Sequence, residues 1–172
     1  MMMQLLAAGG KEVLTDAKRS ADEDNPLGYL EFEKAQNLAR DVSWLPQARG
    51  KVVKIVAQLL PFLPPSEHYQ VLFMERELGE VIASQAVMLT RQGRHGAGLD
   101  DQQLLATFRA QVERVRAHLA RRAEFRILWV DYGALLENPA VGVERVAHFL
   151  GTPFNVPAAV EAIRPELRRQ RG

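Results

Sequence analysis

The feature that most constrains the fold is a change of hydrophobic period near the middle of the chain. From Tyr69 to Met74 the residues are mostly β-branched, aromatic or aliphatic, a run that is typical of a short buried strand. After Glu77 the apolar residues recur with a period near 3.6, which indicates a helix; they are Leu78, Val81, Ile82, Ala86 and Leu89. The change therefore predicts a strand that leads into a helix, with Arg76 at the carboxyl end of the strand.

Arg76 is a candidate ligand-binding residue because of this position. The carboxyl ends of the strands are where open α/β sheets bind ligands, and a guanidinium presents a fixed fork of donors that suits phosphate. Ser84 follows on the predicted helix, roughly 10 Å along its axis at about 1.5 Å per residue. The two side chains could share one anion, so the spacing predicts a phosphate clamp. The competing interpretation is a salt bridge, which is what most arginines at strand ends make.

Strands and helices alternate along the rest of the chain. Further strands are predicted at Glu12 to Leu14, Lys51 to Ala57 and Arg126 to Val130. Further helices are predicted at Met2 to Ala8, Phe32 to Asp41, Val143 to Leu150 and Pro157 to Ile163. Another helix is predicted to begin at a cap, Asp100 or Asp101, and to carry an apolar stripe from Leu104 to Leu119. A short turn is predicted at Ser43 to Pro46, with the serine as its cap. This order predicts one α/β domain over residues 1–172, with right-handed crossovers and a parallel sheet covered on both faces.

Composition narrows the classes of function. The 172 residues are 47% hydrophobic and 25% charged, which suits one globular domain with a sizeable core. A net charge of +1 gives no global field for nucleic acid or an anionic membrane, and no apolar run approaches the roughly 20 residues of a transmembrane helix. The chain has no cysteine, which excludes disulfides and thiolate metal sites and favours a cytoplasmic location. Its four histidines stand far apart, so we expect no metal.

The spacing Arg-x7-Ser at a strand-to-helix junction resembles the 3′-phosphate-binding segment of the sulfotransferase family, enzymes that use 3′-phosphoadenosine 5′-phosphosulfate. Other segments agree with the family in order and spacing over nearly the whole chain; they are Met2 to Gly10, Asn25 to Glu31, Lys51 to Lys54, and Val130 to Tyr132 through Phe149 to Gly151. The resemblance implies a P-loop-type three-layer α/β domain with a central parallel sheet. It also implies sulfuryl transfer from that donor to a hydroxyl or amine of a small-molecule, glycan or peptide acceptor.

The resemblance assigns roles to individual residues. Glu31 is the candidate general base, with Glu33 as the alternative, and Lys54 matches a lysine at the active-site end of its strand. Cytosolic family members carry a catalytic histidine where this chain has Val56, which favours a carboxylate base as in the Golgi-type and bacterial branches. Tyr132 matches a tyrosine that lies against the nucleotide. Each residue also has a structural interpretation, because the two glutamates suit a helix start and the tyrosine could cap the core.

One departure from the family concerns the phosphosulfate. Family members carry a first strand and a loop resembling Pro-Arg-Ser-Gly-Thr-Ser, whose N–H groups bind the 5′-phosphosulfate, ahead of the segment that corresponds to residues 1–10. We expect this strand and loop to be missing, either from a truncated or late-started product or from a relative that no longer performs the transfer. Gly93 to Gly98 does not replace the loop, because it follows a predicted helix instead of a strand.

The missing segment leaves other functions open. One alternative is a non-catalytic nucleotide-binding or interaction protein derived from the fold, and another is a P-loop small-molecule kinase relative. An unfilled position in the sheet would leave backbone groups and apolar side chains exposed, so we expect a homodimer or aggregation unless something covers the gap.

Overall fold

The structure, a computed structural model, describes residues 1–16, 18, 28–83 and 100–164. Its helices are α1 (Met2–Ala8), α2 (Glu33–Gln36), α3 (Leu45–Ala48), α4 (Asp101–Leu119), α5 (Tyr132–Glu137), α6 (Pro139–Leu150) and α7 (Val156–Glu161). The strands are β1 (Tyr69–Glu75) and β2 (Phe125–Asp131), and Ala57–Phe62 forms a 3-10 helix. Residues 78–83, directly after β1, are also helical.

The two strands pair in parallel. Their register runs from Tyr69 opposite Phe125 to Glu75 opposite Asp131. The strands predicted at Tyr69 to Met74 and at Arg126 to Val130 are confirmed, as is the parallel direction, which requires a crossover such as the one that contains residues 78–83 and α4. The carboxyl ends of the strands therefore meet at one edge of the sheet, and Arg76 lies at that edge as predicted.

Helices cover both faces of this small sheet, as the sequence predicts. Successive side chains of a strand point to opposite faces, so each strand serves two hydrophobic clusters. The first cluster joins the odd-numbered strand positions to α2, α3, α4 and the 3-10 helix; its strand members are Tyr69, Val71, Phe73, Phe125, Ile127 and Trp129. The second joins the even-numbered positions to α1, α5, α6 and α7; its strand members are Leu72, Met74, Leu128 and Val130. The result is an α/β domain of three layers.

The predicted strand from Lys51 to Ala57 is wrong beyond its second residue. Val52 makes a single parallel bridge to Val13, in which Val52 N–H donates to Glu12 (2.8 Å) and Leu14 N–H donates to Val52 (2.9 Å). Within the described ranges residues 53–56 enter no ladder, and the 3-10 helix begins at Ala57. A run of β-branched residues becomes a strand only where a partner strand is available, and the strand predicted at Glu12 to Leu14 contributes only the single bridge at Val13.

The helix predicted from Phe32 to Asp41 is also too long, since α2 ends at Gln36. Asn37 follows as the C-cap, and the chain turns there so that Phe32 meets Trp44 edge to face, with ring centroids 5.4 Å apart. Burial of these rings outweighs helix propensity. Ser43 does not cap α3, because Trp44 is its N-cap residue and no side chain caps it. The cap at Asp100 is confirmed, since its carboxylate accepts from the N–H of Gln103 at 2.7 Å.

Candidate functional site

Arg76 meets Tyr132 at the carboxyl edge of the sheet. The guanidinium carbon of Arg76 lies 4.9 Å from the centroid of the Tyr132 ring. This contact follows from the register, because Glu75 and Asp131 are paired and the next residues of both segments lie at the same edge. Two of the three predicted nucleotide-binding residues are therefore in contact, and the third, Ser84, lies outside the described residues.

The positions of Tyr132 and Arg76 are each fixed by contacts at the start of a helix. The Asp131 carboxylate accepts from the N–H of Ala134 at 2.7 Å, which caps α5 and fixes Tyr132 as the first residue of that helix. On the other side, the Glu77 carboxylate accepts from the N–H of Glu80 at 3.2 Å at the start of helix 78–83. Glu80 is thereby placed one turn above Arg76, and its carboxylate accepts from Arg76 Nε at 3.0 Å. The predicted salt-bridge alternative for Arg76 is thus also present.

The two predicted catalytic residues, Glu31 and Lys54, are in contact as well. Lys54 Nζ donates to Glu31 Oε1 at 2.8 Å and lies 5.7 Å from the centroid of the Tyr29 ring. Lys54 belongs to the extended segment after the Val52 bridge, where Val53 and Ile55 pack on the first hydrophobic cluster. The ammonium group is therefore held by a carboxylate and lies near an aromatic ring, an arrangement that orients it.

The turn that carries Glu31 is strained and held from several sides. Gly28 and Leu30 both adopt the left-handed region, at φ 77° and φ 48°, and for a leucine this costs about 1–3 kcal/mol. Gln4 Nε2 donates to the carbonyl of Gly28 at 3.0 Å, and Thr15 Oγ1 donates to the carbonyl of Glu31 at 2.9 Å. A strained turn that its surroundings fix in this way is typical of functional sites.

Glu33, the alternative base, has different surroundings. Its N–H donates to Asp16 Oδ2 at 2.8 Å, which caps α2 and is the largest cause that lowers the pKa of Asp16. Its own carboxylate pairs with Lys18 and is 58% exposed, whereas the Glu31 carboxylate is 22% exposed. Glu31 therefore differs from Glu33 in two ways: its side chain is less exposed to solvent, and it contacts Lys54.

Sequence reasoning missed a second arginine near this edge. Arg116 of α4 pairs with Glu75, the last residue of β1, and its guanidinium carbon lies 4.4 Å from the centroid of the Trp129 ring. Its Nε is buried and has no hydrogen-bond partner in the structure. Nothing in the sequence distinguishes Arg116 from the other arginines of α4, so its place depends on the strand register. Glu80 was also missed, although its spacing of four residues from Arg76 on a helix was a usable signal.

Two further observations concern the described residues only. They contain no group of three or more histidine, aspartate or glutamate side chains that could hold a metal ion. None of the helices within these ranges is both long and apolar enough to cross a membrane.

The fold and the site define an α/β protein with an arginine at the carboxyl edge of a parallel sheet. A family model described as the sulfotransferase family matches residues 15–156, well over half of the chain. The protein therefore belongs to the sulfotransferase family, as the sequence resemblance implies. Glu31, Lys54, Arg76 and Tyr132 all lie within the matched range. A search of curated proteins and a search of solved structures each returned no match.

Proposed function

We propose that this protein transfers a sulfuryl group from 3′-phosphoadenosine 5′-phosphosulfate to a hydroxyl or amine of a small-molecule, glycan or peptide acceptor. The single observation that carries the proposal is the contact between Arg76 and Tyr132 at the carboxyl edge of the sheet, in a chain of the sulfotransferase family. A guanidinium fixed at that edge suits the 3′-phosphate of the donor. Ser84 joins it on the same phosphate in this proposal, and Tyr132 lies against the nucleotide.

The acceptor side of the proposed reaction uses Glu31 and Lys54. The acceptor oxygen or nitrogen attacks the sulfur while the bond from sulfur to the phosphate oxygen breaks. The acceptor proton passes to the Glu31 carboxylate, and adenosine 3′,5′-bisphosphate leaves. Lys54 has three N–H donors, so it can bond to Glu31 and to an oxygen of the transferring group at the same time. Its charge would stabilise the negative charge that is shared among those oxygens in the transition state.

The donor half of the proposal is tested by calorimetry with adenosine 3′,5′-bisphosphate and 5′-AMP. We expect the protein to prefer the bisphosphate. Arg76→Lys keeps the positive charge but loses the fork of donors, so it should lower the ratio of the two affinities about tenfold. Arg116→Lys is the matched control, since it makes the same change on the other side of the sheet edge and should leave the ratio unaltered. Equal affinities of the unmodified protein for the two nucleotides would overturn the assignment.

The transfer half is tested with the phosphosulfate donor and a panel of hydroxyl and amine acceptors. Glu31→Gln should lower turnover by about 10²–10⁴-fold without changing the affinity for the bisphosphate, because a general base acts on the acceptor. Glu33→Gln is the control, and a loss there alone would move the base role to Glu33. Selective binding without transfer to any acceptor would support the non-catalytic nucleotide-binding alternative, and transfer from ATP instead would support a kinase relative.

A further inference from the structure

Glu80 is a charged side chain in an unexpected environment. In the ranges that the structure describes, it is the one charged residue that is buried, with 8% of its surface exposed. Removing a carboxylate from water is costly, and a buried ion pair seldom stabilises a fold more than well-packed apolar side chains would. Arg76, four residues earlier, is one of its partners. Because burying a carboxylate is costly even when it is paired, the place of Glu80 calls for a functional reason beside the structural one.

The geometry of Arg76 supplies one. Glu80 bonds to Nε, and the Tyr132 ring lies against the guanidinium. The ring limits where the guanidinium can move on one side, and the bond to Nε limits its rotation. Among the described contacts Glu80 does not engage the two terminal nitrogens of Arg76, and the arginine side chain keeps 26% of its surface exposed. The terminal N–H groups are thus held in one direction before a ligand arrives.

We propose that Glu80 is a positioning residue that orients Arg76 for a bidentate contact with the 3′-phosphate of the nucleotide. This inference rests on the proposed function, since it concerns the same phosphate contact. Orienting the fork in advance removes the entropy cost of ordering a long side chain on binding. Glu80 thereby contributes selectivity for the bisphosphate without touching the ligand.

A simple counter-charge would behave in the opposite way. If Glu80 only neutralised Arg76, its negative charge would oppose any phosphate nearby. Removal of that charge by Glu80→Gln would then raise the affinity for 5′-AMP and adenosine 3′,5′-bisphosphate alike, or raise the preference for the bisphosphate. Positioning predicts instead a loss of preference, because the arginine would no longer be fixed. The direction of the change separates the two roles.

The experiment measures the ratio of affinities for the two nucleotides in Glu80→Gln. We expect the ratio to fall about tenfold, the lower end of what removing an outer partner costs at metal sites. Glu75→Gln is the matched control, because it makes the same substitution in the Glu75–Arg116 pair and should leave the ratio unchanged. In an Arg76→Lys background Glu80→Gln should have little further effect, since Glu80 acts through the fork. An unchanged or increased ratio in Glu80→Gln, or an equal loss in both backgrounds, would overturn the proposal.

A second measurement does not depend on nucleotide binding, and its first step uses the unmodified protein. The Arg76 Nε–H proton should exchange slowly with solvent in the unmodified protein, as followed by NMR of ¹⁵N-labelled arginine. Fast exchange there would overturn the role of Glu80. If the protein instead binds neither nucleotide while this proton exchanges slowly and Glu80→Gln exposes it, the proposed function fails and the orientation of Arg76 by Glu80 stands.

Discussion

The two arginines near the carboxyl edge of the sheet have the same kinds of partner in different parts of the fold. Arg76 pairs with Glu80 and Arg116 pairs with Glu75. The Glu80 side chain is 7% exposed and comes from the same strand-to-helix junction as its arginine. The Glu75 side chain is 30% exposed and lies on β1, whereas its arginine lies on α4. The more deeply buried carboxylate is therefore the one whose arginine is near it in sequence.

The aromatic rings that contact the two arginines also differ in their positions. Trp129 packs with Phe73 on the first hydrophobic cluster, with ring centroids 4.6 Å apart, and Arg116 covers it from α4. Tyr132 stands at the end of the sheet, where Arg76 contacts it. The Arg116 contacts thus attach a helix layer to both strands. The Arg76 contacts instead lie at the carboxyl edge of the sheet, the edge at which open α/β sheets bind ligands, so we propose a functional role for Arg76 and a structural role for Arg116.

The largest effect on stability is expected from Arg76→Ala. This change removes a cationic partner of a buried carboxylate, and we expect it to lower the free energy of unfolding by about 3 kcal/mol. Urea denaturation followed by circular dichroism measures the loss. Arg76→Ala combined with Glu80→Met should recover most of it, because an apolar side chain of similar size tolerates burial. A double variant as unstable as Arg76→Ala would mean that the pair itself holds the fold together and would remove the contrast with Arg116.

A smaller loss is expected from Arg116→Ala. We expect about 1–2 kcal/mol from the lost contact with Trp129 and the lost pair, with the latter reduced by the exposure of Glu75 to solvent. Adding Glu75→Met should recover little of the lost stability, because Glu75 is already partly hydrated. Most of the loss comes instead from the weaker attachment of α4 to the sheet. The same denaturation measurement applies. Full recovery in the double variant would show that both arginines compensate a carboxylate in the same way.

The sequence predicted the parts of the fold whose signals are local. β1 and β2 are apolar runs with charged residues at their ends, and α6 combines a helical period with Gly151, which adopts φ 64° at its C-cap. The place of Arg76 followed from the change of period alone. Residues 53–56 have the same strand-forming composition, but they form no strand in the described structure because a ladder also needs a neighbour.

The candidate site was predictable to a smaller extent. The family resemblance named Glu31 and Lys54 as site residues but did not predict the hydrogen bond between them, because that bond depends on where a strained turn meets a segment distant in sequence. The contact between Arg76 and Tyr132 depends on the parallel register of two strands that are distant in sequence. Helical spacing alone would have predicted that Glu80 pairs with Arg76. Its burial distinguishes it from an ordinary surface partner, and burial is a property of the folded chain.

The smallest expected effect concerns the ring under Arg76. Tyr132→Leu removes a cation–π contact worth about 0.5–1 kcal/mol, so the preference for adenosine 3′,5′-bisphosphate over 5′-AMP should fall by about two- to fivefold. Tyr132→Phe keeps the ring face and should retain the preference. Trp129→Leu makes the comparable change beneath Arg116 and should alter the free energy of unfolding but not the nucleotide ratio. If Tyr132→Leu left the ratio unchanged while Trp129→Leu lowered it, the functional and structural roles of the two arginines would have to be exchanged.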